Sequence, residues 1–199
     1  MFGGSFDPPH RAHQALAQAA IDQLHLNQLY IVPTGQAWHK SRVLSEARHR
    51  VAMSHLAFQD LPQVVLEDME TQRSGPSYTI DTLSILKSRH VDALFYVMVG
   101  EDQGAGFTQW HQWQSILNMA QLVVVPRPIS LEPEEKDDEW HNLPSDRVLR
   151  LHMPSMDISS SALRASYASG QPTTEFLSPL VNHYIQHHQL YLEPHDRSR

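Results

Sequence analysis

Two histidines three positions apart, His10 and His13, stand near the amino end of the chain in the string GGSFDPPHRAH, residues 3–13. At this spacing both imidazoles fall on one side of the first turn of a helix. The N–H groups and positive dipole end of that turn favour phosphate, and the preceding glycines let the backbone approach a ligand closely. Either histidine alone would more often be an ordinary exposed residue. The complete string predicts a phosphate site that is neither a GxGxxG motif nor a P-loop.

A second group of anion-binding side chains stands near the carboxyl end. The string ISSSALR, residues 158–164, follows a strand-like run and opens a helix-like segment. Hydroxyls at a helix N-terminus and an arginine one turn further on form an anion site from first principles. A capped surface helix is the alternative that this string leaves open.

Further polar and aromatic side chains also follow strand-like runs. The string GPSYTIDTL, residues 75–83, is typical of a turn that feeds a helix N-terminus, where its hydroxyls bind a ligand or simply cap the helix. The string GED, residues 100–102, follows a long apolar run. Trp110 can stack on a flat ring. Trp113 is in helical phase with the apolar residues that follow it, which favours core packing for that ring.

The segments between these motifs alternate between strand-like and helix-like patterns. The predicted strands are Leu29–Val32, Val64–Glu67, Ala93–Val99, Leu122–Val125 and Val148–Leu151. Helices are predicted in His13–Leu24, after a Ser45 N-cap, in Thr79–Leu86, around Trp113–Leu117, in Ser160–Ser169 before Gly170, and around Val181–Ile185. This alternation predicts an α/β fold with a parallel sheet and helices on both faces. Ligands then bind at the carboxyl ends of the strands, where the motifs above lie.

Composition narrows the class of protein. A chain of 199 residues suits one domain, in which the acidic stretch 130–144 is predicted to be a solvated insert. The net charge of −7 argues against a nucleic-acid partner, and the absence of cysteine excludes disulfides and thiolate chemistry. The sequence has neither a membrane-length apolar run nor a signal-peptide pattern, so we expect a cytoplasmic protein with no membrane partner.

The N-terminal string resembles the GGTFDPxHxGH signature of the HxGH nucleotidyltransferases. It departs from that signature at Ser5, which replaces threonine and keeps the hydroxyl, and at Ala12, which replaces glycine and suits a helix. We expect both changes to be tolerated. The resemblance implies a Rossmann-like doubly wound parallel sheet of the nucleotidyltransferase type.

Four later segments are similar to bacterial nicotinate-mononucleotide adenylyltransferases. They are the loop from Pro33 to Lys40, the ExxRxGPSYTxxTL pattern at residues 70–83, the GxD pattern at 100–102 with Trp110 after it, and the ISxTxxR pattern at 158–164. Trp38 stands where the first loop usually has a second proline, and Ser161 where the last motif has threonine. Lys40 is one of three lysines in the chain, and a loop lysine is a charged donor.

The resemblance assigns roles residue by residue. The residues implied in catalysis, as holders of phosphate, are His10, His13, Lys40 and Arg164. Those implied in nucleotide binding are Gly3, Gly4, Ser5, Phe6, Gly100, Asp102, Ile158, Ser159, Ser160 and Ser161. Those implied in acceptor binding are Ser77, Tyr78, Thr79, Trp110 and His111. In this scheme Trp110 stacks on the pyridine ring, and the nicotinate carboxylate lies at a helix N-terminus.

The implied reaction transfers AMP from ATP to nicotinate mononucleotide without a protein nucleophile. It depends on positioning and charge neutralisation, with Mg²⁺ bridging phosphate oxygens and no all-protein metal site. Two alternatives stay open. One is a nucleotidyltransferase for another phosphate acceptor, such as nicotinamide mononucleotide. The other is a nucleotide-binding homologue without catalysis. The resemblance sets no oligomeric state.

The amino end motivates one further hypothesis. Members of the resembled family usually have a full strand before the two glycines, whereas this chain begins Met1-Phe2-Gly3. A short central strand loses ladder hydrogen bonds worth about 1 kcal/mol each. We therefore expect the natural protein to start upstream. A melting temperature that does not rise when several strand-forming residues are added at this end would refute the hypothesis.

Overall fold

The computed structural model describes residues 1–36, 44–125, 143–154 and 156–192. In this part of the chain six strands form one parallel sheet. In chain order they are β1 Phe2–Gly4, β2 Leu29–Pro33, β3 Val64–Leu66, β4 Tyr96–Gly100, β5 Gln121–Val125 and β6 Val148–Arg150. All five predicted strands are confirmed. β4 begins three residues later than predicted because Ala93 and Leu94 lie in an exposed segment before it.

The strands lie side by side in the order β3-β2-β1-β4-β5-β6. This is the doubly wound arrangement, in which the strand order reverses between β1 and β4. Three-residue β1 is central: Phe2 pairs with Ile31 of β2 and with Met98 of β4. The loops after β1 and β4 diverge at one edge of the sheet and leave a crevice between them. The predicted parallel α/β sheet is confirmed.

Eight α-helices connect or flank these strands in the described residues. They are α1 Arg11–Gln23, α2 Ala47–Phe58, α3 Met69–Gln72, α4 Thr79–Arg89, α5 Glu101–Ala105, α6 Trp113–Met119, α7 Ser160–Ala168 and α8 Pro179–His187. Each predicted helix is present. Gly170, just beyond the end of α7, has φ +69, the left-handed conformation expected of a residue that stops a helix. Nowhere in the described ranges is a helix long and apolar enough to cross a bilayer.

The sheet separates two apolar cores because successive strand side chains point to opposite faces. On β4, Met98 belongs to the core that α1, α2, α7 and α8 cover, whereas Val97 and Val99 belong to the core under α4 and α6. Strands buried on both faces explain why the runs that form β4 and β5 are almost continuously apolar.

One detail of the sequence analysis needs correction. Ser45 is not the N-cap of α2, which begins only at Ala47. Ser45 instead makes tertiary bonds: its N–H donates to the Asp7 carboxylate, and its carbonyl accepts from Arg50. The predicted insert lies mostly outside the described residues. Its last two residues are described: Leu143 is 7% exposed and belongs to the core under α4 and α6, whereas Pro144 is exposed. The solvated insert stays a prediction.

Candidate active site

The loop after β1 carries the glycine pair at the crevice. A Cβ on Gly3 would meet nothing within 4 Å, so the strand edge is open to a ligand there. A Cβ on Gly4 would lie 3.0 Å from the ring of Phe6, so this glycine makes room for an aromatic ring. That ring is 1% exposed and packs edge-on against Phe2 and Phe58. The side chain of Phe6, a predicted nucleotide contact, is therefore part of the core, and only its backbone can contact a nucleotide.

The two signature histidines form a stacked pair at the start of α1. Their ring centroids are 3.7 Å apart with an interplanar angle of 26°. The backbone N–H of His10 donates to Nδ1 of His13 at 3.1 Å. Because Nδ1 of His13 accepts a bond, the neutral ring carries its proton on Nε2. The sequence predicted correctly that these two rings share one side of a helical turn.

The ionisation of His10 is set by its surroundings. The residue is 6% exposed, and burial lowers the pKa of its imidazole to about 4. His10 is therefore neutral at physiological pH. Its Nδ1 is buried and has no hydrogen-bond partner among the described residues. Two charged rings would repel each other at 3.7 Å, so a neutral His10 is compatible with the stack.

The start of α7 docks onto the signature loop. The hydroxyl of Ser160 donates to the carbonyl of Pro8 at 2.9 Å. Nη1 of Arg164 donates to the carbonyl of Asp7 at 2.7 Å, and Nη2 donates to the Ser161 hydroxyl at 3.0 Å. These contacts bring the two predicted phosphate motifs together, although 157 positions separate Asp7 from Arg164.

Two other residues of this motif serve the helix and the core. The hydroxyl of Ser159 accepts from the N–H of Ala162 at 3.1 Å, so Ser159 is the N-cap of α7. Ile158 is half-buried and packs against the core that α1 covers. The capped-helix interpretation thus describes Ser159, while Ser160 and Arg164 bind the signature loop.

A cavity of about 220 Å³ opens at the switch point between β1 and β4. The sequence-predicted site residues that line it are Gly3, Gly4, Ser5, Ser77, Tyr78, Thr79, Gly100, Trp110 and His111. The crevice therefore joins the glycine pair of the predicted nucleotide half to the GPSYT segment of the predicted acceptor half.

The acceptor side of this cavity presents donors to a ligand. Ser77 is buried at 9% exposure, and its hydroxyl has no hydrogen-bond partner in the described part of the chain. Thr79 is the first residue of α4, where the leading N–H groups have no carbonyl within the helix to bond. A buried hydroxyl and a helix N-terminus together suit an anionic group.

Aromatic rings also line the cavity. The ring centroids of Tyr78 and His111 are 4.5 Å apart, and those of Trp110 and Phe107 are 5.4 Å apart. Trp110 is partly buried at the edge of the core and still lines the cavity. Trp113, predicted to be a core residue, packs on the core under α4 and α6.

Of the predicted residues in the GxD segment, one lines the cavity and one does not. Gly100 ends β4 and lines the cavity, whereas Asp102 lies exposed in the first turn of α5 and is not part of the cavity wall. The next residue, Gln103, does line it. The predicted contact of Asp102 with a ribose stays a prediction.

The sequence analysis missed Glu70 as a residue of the cavity wall. Its carboxylate accepts from the Thr82 hydroxyl at 2.8 Å, and it also bonds to Thr34 and to the backbone of Gly35. Burial raises the pKa of this carboxyl, and these hydrogen bonds oppose the rise. The sequence signal that marked Glu70 is its place as the first residue of the ExxRxGPSYTxxTL pattern, seven positions before Ser77. Its place in the cavity wall did not follow from that pattern because its partners Thr82 and Thr34 are distant along the chain.

Lys40 lies outside the described residues, but the segments that flank its loop are described. Before it, Gln36 forms a bridge with Pro76, next to the acceptor side of the cavity. After it, Ser45 bonds to Asp7 of the signature loop. The chain on either side of the loop is thus fixed to the two halves of the crevice. The predicted role of Lys40 stays a prediction.

The described ranges contain no group of three or more metal-ligating side chains. The carboxylate of Asp7, nearest in sequence to the histidine pair, is buried and accepts from Ser45 and Tyr191. The family resemblance implies a Mg²⁺ ion that takes most of its ligands from substrate phosphates and water. Mg²⁺ is compatible with that arrangement because it commonly keeps several waters and binds through substrate phosphates.

The arrangement suits a transfer reaction between two anionic substrates. Glycines, hydroxyls, aromatic rings and the start of α4 line the cavity. His10, His13 and Arg164 are not among its lining residues; they gather on the loop that continues from Gly3, Gly4 and Ser5. These groups can hold phosphate and neutralise developing charge. Positioning of this kind supports phosphoryl transfer without a covalent protein intermediate.

Known proteins resemble this chain over nearly its full length. The family model described as cytidylyltransferase-like matches residues 1–166. A protein of Albidiferax ferrireducens named probable nicotinate-nucleotide adenylyltransferase is 44% identical over 191 residues, which cover 96% of each chain. A protein of Hydrogenovibrio crunogenus with the same name is 37% identical over 200 residues, which cover 95% of each chain.

Solved structures share the fold. The nicotinic acid mononucleotide adenylyltransferase of Plasmodium falciparum complexed with NaAD superposes with a TM-score of 0.76 and 24% identity. The match covers 96% of this chain and 95% of that one. The doubly wound sheet and its flanking helices are therefore common to both proteins.

Proposed function

This chain belongs to the nicotinate-nucleotide adenylyltransferases of the cytidylyltransferase-like family, and we propose that it transfers AMP from ATP to nicotinate mononucleotide. The products are nicotinate adenine dinucleotide and pyrophosphate, so the reaction is a step in NAD biosynthesis. Membership of this family of nucleotidyltransferase enzymes confirms the resemblance drawn from the motifs.

One observation carries the proposal for this chain. A single cavity at the strand switch point joins the open edge of Gly3 to the unpartnered hydroxyl of Ser77 and the first turn of α4. A nucleotide on one side and a pyridine nucleotide on the other would meet in that crevice. Ligands of doubly wound sheets bind at this place.

The donors on the acceptor side favour an acid over an amide. N–H groups at the start of α4 can only donate, and a carboxylate accepts at both oxygens. An amide presents an NH₂ group, which would face those donors without a bond. The Ser77 hydroxyl can donate to either ligand. We therefore propose that nicotinate mononucleotide is preferred to nicotinamide mononucleotide, with Trp110 stacking on the pyridine ring.

The phosphate side requires no charged histidine. In the proposal, neutral His13 donates from Nε2 to a phosphate oxygen, and His10 stacks beneath it. Arg164 adds a permanent positive charge at the start of α7. Lys40 is proposed as the fourth phosphate-binding group, by family resemblance alone.

The chemistry follows from this placement. A phosphate oxygen of the acceptor attacks the α-phosphorus of ATP, and a new phosphorus–oxygen bond forms. The bond from that phosphorus to the bridging oxygen of the β-phosphate breaks, and pyrophosphate leaves with the electron pair. His13 and Arg164 stabilise the charge that develops on the phosphoryl oxygens. Bound Mg²⁺ would neutralise phosphate charge, with few ligands from the protein.

Release of pyrophosphate tests the proposal. Purified protein is mixed with ATP, Mg²⁺ and nicotinate mononucleotide, and nicotinamide mononucleotide is run in parallel. Fast release with the acid and slow release with the amide would support both the reaction and the substrate. Equal rates would overturn the preference for the acid. No release with either acceptor, from protein shown to be folded by circular dichroism, would overturn the proposed activity.

A further inference from the structure

Asp7 places a carboxylate inside the protein next to the histidine loop. The residue has 0% exposure. Its Oδ2 accepts from the backbone N–H of Ser45 at 3.2 Å, and its Oδ1 accepts from the hydroxyl of Tyr191 at 2.7 Å. A buried carboxylate is costly unless hydrogen bonds satisfy it, so both donors matter to the loop. The Tyr191 bond spans 184 positions and connects the segment after α8 to the signature motif.

The backbone around Asp7 holds the phosphate-binding groups. Its carbonyl accepts from Arg164, and the next carbonyl, that of Pro8, accepts from Ser160. The histidine pair begins two residues further on, at His10. A displacement of Asp7 would therefore move the arginine and the imidazoles together, and catalysis by positioning is sensitive to shifts of an ångström.

Tyr191 is itself held in a defined conformation. Its φ of +68 is uncommon for a non-glycine residue and requires support from surrounding contacts. Burial raises the pKa of the phenol, and the negative charge of Asp7 raises it further. The hydroxyl is therefore protonated and can donate at any physiological pH. The same C-terminal region also supports the start of α1, where the N–H of Arg11 donates to the carbonyl of Phe176 at 2.9 Å.

From these contacts we propose that Tyr191 is a positioning residue for adenylyl transfer. It acts through Asp7, which keeps Arg164 and the histidine pair in register with the phosphates of ATP. The inference rests on the proposed function and deepens it. Neither Tyr191 nor Asp7 lines the cavity with the predicted acceptor residues, whereas Asp7 bonds directly to Arg164. We therefore expect their effect on ATP and on turnover rather than on binding of the pyridine nucleotide.

The test uses Tyr191→Phe, which removes one oxygen atom, with Tyr167→Phe as the matched control. The Tyr167 ring lies 6.0 Å from that of Tyr191, but its hydroxyl donates to Asn182 and not to the signature loop. We expect Tyr191→Phe to lower kcat by about tenfold or more. KM for nicotinate mononucleotide should stay within about twofold of the wild-type value. Tyr167→Phe should leave both parameters unchanged.

A second readout needs no acceptor and separates this inference from the proposed activity. The rise in Tm on adding ATP and Mg²⁺ is measured for the same three proteins. We expect a smaller rise for Tyr191→Phe than for the wild type and Tyr167→Phe. This comparison remains informative if the wild type transfers AMP to neither pyridine nucleotide, in which case the proposed function alone would fail.

Other results would overturn the inference. They are a kcat within about twofold of wild type together with an unchanged response to ATP, an equal loss in Tyr167→Phe, or a change in KM for the acceptor alone. If Tyr191→Phe does not fold, Asp7→Asn probes the same bond from its other end, and a near-normal kcat there would overturn the inference. Failure of both variants to fold would assign this pair to stability alone.

Discussion

Acidification should destabilise this protein through His10. Burial lowers the pKa of His10 to about 4 in the folded protein, compared with 6.5 in the unfolded chain. Between these two values the unfolded state binds more protons than the folded state. The free energy of unfolding must therefore rise with pH across this window and fall as the pH is lowered through it. Above about pH 6.5 the imidazole is mostly neutral in both the folded and the unfolded state, so the titration of His10 no longer lowers the free energy of unfolding.

The magnitude follows from the same shift. A pKa difference of one unit corresponds to about 1.4 kcal/mol, so the loss between pH 7 and pH 5 is about 2 kcal/mol. Below pH 4 it approaches roughly 3 kcal/mol. That is a substantial fraction of a typical stability of about 5–15 kcal/mol.

The assay compares the wild type with His10→Gln, which is neutral at every pH. Urea unfolding at pH 7 and at pH 5 gives four free energies of unfolding. Other groups, including the buried carboxyl of Glu70, titrate in both proteins and cancel in the difference. We expect the stability of the wild type relative to His10→Gln to fall by about 2 kcal/mol on acidification. Parallel losses in the two proteins would refute a buried, neutral His10 and the phosphate mechanism built on it.

Three further predictions concern single side chains. His13→Ala should reduce turnover by orders of magnitude with the circular dichroism spectrum retained, whereas exposed His183→Ala on α8 should not; near-normal turnover would remove His13 from the phosphate site. Ser77→Ala should bring the kcat/KM values for nicotinate and nicotinamide mononucleotide closer together, and an unchanged ratio would exclude its hydroxyl from acceptor recognition. Gly35→Ala places a Cβ 2.1 Å from a backbone oxygen and should cost at least about 1–3 kcal/mol in thermal unfolding, while Gly106→Ala, with nothing within 4 Å, should cost little. Equal Tm values for these two variants would contradict the close packing of the loop after β2.

Several features of the site could be predicted from the sequence because they depend on local spacing. His10 and His13 share one side of a turn because three residues nearly complete a helical turn. The nearly continuous apolar runs that form β4 and β5 predicted strands buried on both faces of the sheet. Once the strands were parallel, every motif that followed a strand had to lie at the same edge of the sheet. The motifs themselves then identified the family.

Other features needed the tertiary structure because their partners are far away along the chain. Ser45 has the composition of an N-cap, but Asp7 and Arg50 take its backbone groups, and the helix begins later. Phe6 belongs to the signature string, yet its ring enters the core because the loop turns it inward with φ +46.

The ionisation state of His10 and the place of Glu70 in the cavity wall also depend on the tertiary structure. Nothing local distinguishes the imidazole of His10 from those of the exposed histidines, and only its burial lowers the pKa of that ring. Glu70 became part of the cavity wall because Thr82 and Thr34, from different elements, converge on it. The sequence by itself determined which motifs follow strands and so lie at one edge of the parallel sheet, since spacing and periodicity follow from short-range rules. Only the tertiary structure decided which of those groups are neutral, which face the ligand and which hold the others in place, because desolvation and long-range hydrogen bonds exist only once the chain is folded.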